Sequence, residues 1–182
     1  MTVFGIVGLP GSGKSEAAAV ARERGIPVVT MGDVIRQACR DRGLDPATHH
    51  GEVAKALREE NGPDAIARES LPRIEAHLED HDAVVVEGIR SDVEVERFAD
   101  AFGDEFVLIE VAAPDAARAE RLDLRGRDAG AAEGGESLEE RDERELGFGM
   151  GEAMAMADHT VRNDASLEAF QESVRELFAA DV

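Results

Sequence analysis

Residues 2–15 read TVFGIVGLPGSGKS, and this stretch decides the fold. Val3 to Val7 is an apolar run that reads as a buried strand. Gly8-Leu9-Pro10-Gly11-Ser12-Gly13-Lys14-Ser15 fits G-x-x-x-x-G-K-[ST] in full, and Glu16 to Arg24 reads as a helix. Strand, glycine-rich loop and helix, in that order, are the setting that a phosphate-binding loop requires. Gly8, Gly11 and Gly13 let the backbone curl so that its N–H groups face inward. The helix start adds free N–H groups and a positive dipole end at the same point. From there Lys14 reaches β/γ-phosphates, and the Ser15 hydroxyl is placed to ligand Mg²⁺.

Outward from this loop, strands alternate with helices, which argues a parallel sheet covered on both faces. Pro27–Thr30 reads as the second strand, Ala83–Val86 as the third, Phe106–Val111 as the fourth and His159–Arg162 as the last. The predicted helices run over 33–42, 52–60, 64–80, 115–124, from the Ser91/Glu94 and Ser137/Glu140 capping boxes, and over 166–179. Residues 43–51 read as a loop, and Gly126–Gly135 as a mobile glycine-rich one. The expectation is one domain over 1–182 with a five-stranded parallel sheet. It carries a helical insertion over 31–82 and a lid region over 125–151.

The chain has 40 acidic and 20 basic residues, a net charge of -20, which disfavours nucleic-acid backbone as a partner. Only Lys14 and Lys55 are lysines; the excess of acid resembles proteins of salt-loving organisms. The single Cys39 excludes an internal disulfide and, with no long apolar run and no signal peptide, points to the cytoplasm and away from a membrane. No Cys/His zinc spacing is present. His77 and His81, four apart, fit a helix C-terminus better than a metal.

Three further groups carry chemistry. Asp33 follows the second strand, where it can orient Mg²⁺ through water, accept a proton, or simply cap a helix. Arg36 lies one turn on, placed to grip an acceptor phosphate. Glu87 ends the third strand, where a magnesium-orienting acid belongs, and Arg90 follows on the turn. Arg118, Arg121 and Arg125 share one helix face, Arg127 follows, and Arg141 and Arg144 lie beyond the glycine-rich loop. Such a cluster suits a lid closing on transferring phosphates, or surface pairing with nearby acids.

GDVIR at 32–36 resembles the G-D-hydrophobic-hydrophobic-R of adenylate kinases, and EGIR at 87–90 is similar to their D-G-F-P-R. ADHTVRNDASLEAF at 157–170 and the second-strand segment from Ile26 resemble dephospho-CoA kinases, with Thr30 in place of an acid. The whole chain looks most like an archaeal family of P-loop nucleotide-kinase-like proteins within the nucleoside monophosphate kinase group. The resemblance implies that Gly11, Gly13, Lys14 and Ser15 hold ATP-Mg²⁺. It implies that Arg36 and Arg90 hold the acceptor, that Arg121, Arg125 and Arg127 form the lid side, and that Asn163 sits near the adenine. The expected activity is transfer of the γ-phosphate to a nucleotide-like acceptor. The alternatives are a P-loop NTPase acting on a protein partner, and a binding subunit without turnover.

Overall fold

Val3, Phe4, Ile6 and Val7 are all fully buried, so the first strand needs cover on both faces. In the computed structural model, which describes residues 1–128 and 137–180 (backbone alone for 124–128), that cover is complete. The strands are β1 (Thr2–Val7), β2 (Val28–Thr30), β3 (Ala83–Glu87), β4 (Phe106–Ala112) and β5 (His159–Arg162). They form one five-stranded sheet in the order β2-β3-β1-β4-β5, with every pairing parallel. β1 lies between β3 and β4, with Ile6 opposite both Glu87 and Ile109. The chain thus leaves β1 toward opposite sides, and the crevice at its C-terminal end is where ligands bind in open α/β sheets.

The helices are α1 (Lys14–Glu23), α2 (Met31–Asp41), α3 (Pro46–Asn61), α4 (Ala65–Leu78), α5 (Asp92–Phe102), α6 (Asp115–Asp128), α7 (Leu138–Gly147), α8 (Met150–Ala155) and α9 (Leu167–Ala180). Phe4 and Ile6 join one core with Val20 of α1 and Phe170, Val174 and Phe178 of α9. The Phe4 and Phe178 rings lie 5.0 Å apart. Val3 and Val7 point to the other face, where α2, α3, α4, α5 and α8 contribute Ile35, Leu57, Ile74, Phe98 and Met150. Gly5 lies between Val3 and Val7, and a Cβ there would stand 2.8 Å from Phe106 Cζ and 2.9 Å from Ile89 Cδ1.

Several expected boundaries shift for local reasons. α2 starts at Met31, directly after β2, so Asp33 sits inside its first turn and not at the strand end. α3 starts at Pro46, replacing the expected loop over 43–51. Asp45 caps it by accepting from the Ala47 N–H at 2.9 Å, and Pro46 opens it with a φ already suited to a helix. α6 continues through Gly126 to Asp128, and the rest of the expected glycine-rich loop, 129–136, lies outside the described residues. α8 was not expected. The Ser137/Glu140 box forms reciprocally, whereas Glu94 turns its carboxylate to Arg58 and the Arg90 N–H. Leu167, the first residue of α9, is exposed. Cys39 is buried in the core, and no described helix is long and apolar enough to cross a membrane. His81 Nδ1 pairs with the His77 carbonyl oxygen at 3.1 Å, and no metal-type cluster occurs among the described residues.

Gly5→Ala should cost about 1–3 kcal/mol, because the new methyl must displace Phe106 and Ile89 in a close-packed layer. Equilibrium urea unfolding measures this; an unchanged midpoint would show that the layer has slack.

Candidate active site

The phosphate-type loop spans the gap between β1 and α1, and three glycines are required by what approaches them. A Cβ on Gly8 would stand 2.5 Å from the Val111 carbonyl oxygen at the end of β4. One on Gly11 would stand 2.8 Å from the Arg118 carbonyl oxygen, and one on Gly13 would collide with the Asn163 amide. All three have positive φ. The loop is therefore pressed by β4, by α6 and by the turn after β5 at once.

The same neighbours orient its peptides. Arg118 donates to the Pro10 carbonyl at 3.2 Å. Arg121 donates to Gly11 and Ser12 at 3.1 and 3.3 Å, and Asn163 Nδ2 donates to Ser12 at 2.9 Å. In a trans peptide the N–H opposes the C=O. Carbonyls drawn toward α6 and Asn163 thus turn the Gly11 and Gly13 N–H groups the other way. On the cavity side Lys14 Nζ donates to the Gly8 and Leu9 carbonyls at 2.5 and 3.1 Å. Ser12 Oγ is buried and has no hydrogen-bond partner. A curled backbone, a lysine at its mouth and Ser15 in the first turn of α1 fit a polyphosphate with Mg²⁺.

Arg118 is 2% exposed and holds two carboxylates: Asp142 of α7 through two bonds of 2.8 Å, and Asp115 at 2.7 Å. Its hydrogen bonds to Asp142 first, and then to Asp115, hold the guanidinium charged even more firmly than usual, against the opposing effect of burial. Arg118 is therefore a buried strut between loop and α7, not an arm of a lid. Arg121, expected on the lid side, donates to the loop carbonyls and to Asn163 O at 3.2 Å. Arg125 and Arg127 lie in the last turns of α6, and their side chains fall outside the described residues. Asn163, expected near the adenine, is buried behind the loop, with Nδ2 donating to Ser12 O and its backbone N–H to Ala112 O.

A cavity of about 210 Å³ opens in front of the loop. Lys14 and Ser15 line it from one side, and Gly88, Ile89 and Arg90 from the other. Arg141, Arg144 and Glu145 of α7 close the third side. Arg90 pairs with Glu145, which is 9% exposed. Glu87 and Asp33 do not line this cavity. Glu87 accepts from the Thr30 hydroxyl at 2.6 Å and from Arg22 at 3.3 Å, which ties up the expected metal-orienting acid. Asp33 accepts from Arg36 at 2.9 and 2.5 Å and lines a separate groove with Thr30, Arg73 and His77. The reason is the early start of α2, which turns Asp33 toward its own i+3 neighbour.

Sequence reading missed four participants. Asp142 and Glu145 look like surface acids of an acidic helix. Glu94 looks like a cap but is fully buried, binding Arg58 at 3.1 Å and the Arg90 N–H at 2.8 Å. His50 lay in the supposed loop; burial first, and the charges of Arg36 and Arg90, hold its imidazole below the usual range, although a hydrogen bond with the Gly32 backbone works the other way.

A family model described as an AAA domain matches residues 5–146. A UPF0200 protein of Halobacterium salinarum is 59% identical over 181 residues, spanning 100% of this chain and 94% of that protein. TT1252 from Thermus thermophilus superposes with a TM-score of 0.65 at 23% identity, over 98% of this chain and 97% of that one. Shikimate kinase from Bacteroides thetaiotaomicron does so with 0.60 at 14% identity, over 98% of both chains. The fold is thus that of P-loop kinases, with an all-parallel five-stranded sheet.

Arg118→Met strands Asp142 and releases the Pro10 carbonyl. The expected loss is roughly 3 kcal/mol in urea unfolding, the lower end for breaking a buried pair, because Asp142 keeps some solvent. ATP affinity, read by titration calorimetry, should fall as well. Unaltered stability and affinity would remove the strut from the account.

Proposed function

This chain belongs to the UPF0200 family, and from that premise we propose that it is an ATP-dependent phosphotransferase. It moves the γ-phosphate to a nucleotide-like small molecule, of the nucleoside monophosphate or dephospho-CoA type. One observation carries the reading: the cavity that Lys14 and Ser15 line is also lined by Arg90, from the loop after β3. A simple NTPase has no need of a second cationic wall across from its phosphate loop.

In this reading the N–H groups of the loop and Lys14 bind the β- and γ-phosphates. Ser15 is the residue that fits Mg²⁺, which when bound neutralises charge on the phosphate oxygens. Arg90 and Arg36 hold the acceptor, while Arg141 and Arg144 face the transferring group from α7. In-line transfer needs alignment and charge neutralisation more than covalent chemistry, and these residues supply both.

The competing reading is an NTPase that acts on a protein partner. In its favour, Arg36 is already paired with Asp33, and Arg90 with Glu145. The Arg36 pair is exposed on both sides, 40% and 50%, and such pairs contribute only about 0–1 kcal/mol. A charge-assisted contact to phosphate contributes roughly 1.5–3 kcal/mol and so displaces it. Arg90 need not leave Glu145, because a guanidinium has five donors and the carboxylate can simply orient it.

Lys14→Ala should abolish turnover while circular dichroism and melting stay near wild type. Arg36→Ala and Arg90→Ala should each raise acceptor KM about tenfold or more with ATP affinity little changed. ADP release across a panel of acceptors is the deciding assay: release without regard to acceptor would favour the NTPase reading, and full activity of Lys14→Ala would sink both.

A further inference from the structure

Glu94 is the one carboxylate among the described residues with no exposure at all, and the chemistry proposed above leaves it unused. Its place in the sequence does not require this burial. Ser137 and Glu140 have the same spacing, and there the Glu140 carboxylate returns to the Ser137 N–H at 2.7 Å, on the surface. After Ser91 the Glu94 carboxylate instead accepts the Arg90 N–H on Oε2 at 2.8 Å and Arg58 Nη2 on Oε1 at 3.1 Å. A buried ion pair stabilises a fold no better than apolar side chains of similar volume. Stability therefore does not explain Glu94; what it holds does.

Ile89, 1% exposed, anchors the loop just before the Arg90 peptide, and Glu94 fixes that peptide itself. The Arg90 side chain leaves from there into the cavity, across from Lys14 and Ser15, where Glu145 pairs with it. Arg90 is thus gripped by two acids, its backbone by α5 and its guanidinium by α7. Arg58 brings in α3, and its guanidinium lies 5.9 Å over the Phe148 ring just beyond α7. Three residues after Glu94, Arg97 donates to Asp64 Oδ2 at 2.7 Å in the turn between α3 and α4. One face of α5 therefore offers an acid to α3 and a base to the turn beyond it. A register in which these pairs exchanged partners would set Arg58 against Arg97 and Asp64 against Glu94. The insertion docks on α5 in one way.

We propose that Glu94 is a positioning residue for phosphoryl transfer: with Arg58 it locks the Arg90 peptide, and it makes that lock conditional on α3 standing against α5. This rests on the phosphotransferase reading and adds to it the means by which the helical insertion sets a residue of the cavity wall. An α3 moved off α5 would take Arg58 with it and leave Glu94 a buried charge without a counter-ion. The carboxylate would then turn toward water and release the Arg90 N–H. Alignment of Arg90 and docking of the insertion go together, so the wall is in place only when the insertion is seated.

The test uses variants that keep side-chain bulk. Glu94→Gln retains an oxygen for the Arg90 N–H but not the charge that Arg58 answers. Arg58→Met retains an unbranched stem over Phe148 without the cation, and Arg58→Lys restores the cation. Amide hydrogen exchange at Arg90 reads the lock without turnover. It should be slow in wild type, about tenfold or more faster in Glu94→Gln and Arg58→Met, and near wild type in Arg58→Lys. With an acceptor that drives ADP release, Glu94→Gln and Arg58→Met should lower kcat/KM for that acceptor about tenfold to a hundredfold, with the ATP Kd unchanged. A residue that only supports the fold would lower the melting temperature and leave both readouts at wild-type values, and that result overturns the proposal. Arg58→Met behaving as wild type in both overturns it too, even where Glu94→Gln fails to fold. So does a freed Arg90 amide with unaltered kcat/KM. The two readings fail separately. If the variants free the Arg90 amide but no acceptor drives ADP release in wild type, the lock stands and the kinase falls. If acceptor-driven release occurs and the variants change neither it nor the Arg90 amide, the kinase stands and the lock falls.

Discussion

The close approach of three neighbours to the backbone of residues 8–13 is the constraint on which the rest of the site depends. β4, α6 and the turn after β5 each come within a distance that a side chain on Gly8, Gly11 or Gly13 would forbid. The approach matters because those neighbours also hold the loop's carbonyls. Arg118, Arg121 and Asn163 together bind the oxygens of Pro10, Gly11 and Ser12. A loop held this way is preorganised: its carbonyls are fixed by their partners, so a ligand bound by its N–H groups would cost less ordering free energy.

The second feature is how the two walls of the cavity are tied together. α7 reaches the phosphate loop through Asp142 and Arg118, and the EGIR loop through Glu145 and Arg90. The EGIR loop is tied in turn to α3 of the insertion through Glu94 and Arg58, and Arg58 lies 5.9 Å over the ring of Phe148 just beyond α7. These links use partly or wholly buried carboxylates, where breaking a pair costs far more than at the surface. In a chain of net charge -20, each of these carboxylates has an arginine partner: Glu94 has Arg58, Glu145 has Arg90 and Asp142 has Arg118. Of the cluster that reads along the sequence as one lid, the described side chains divide in space between struts, Arg118 and Arg121, and cavity wall, Arg141 and Arg144.

Much of the architecture could be read from residue patterns because it rests on local rules. The glycine-rich motif, the β-branched run at 83–86 and the Ser137/Glu140 box each state their conformation within a few residues. The start of α3 was legible too, from Asp45 and Pro46, but the poor helix formers Thr48, His49 and His50 and the glycine at 51 obscured it. Tertiary contacts through Val53, Ala54 and Leu57 outweigh that propensity.

What the sequence alone determined is the strand, glycine-rich loop and helix at its start, because the spacing of G-x-x-x-x-G-K-S sets glycines where the backbone must curl between β1 and α1. The alternation of strand and helix likewise determined a parallel sheet, since parallel strands require crossovers. Only the tertiary structure decided which charges face which. Arg118 meets Asp142 across 24 positions, Arg90 meets Glu145 across 55, and Asn163 meets Ser12 across 151. No local rule links such pairs. Whether an arginine is a strut or a ligand-binding arm depends on which acid or carbonyl the packed core sets beside it, and that choice is made when the layers assemble.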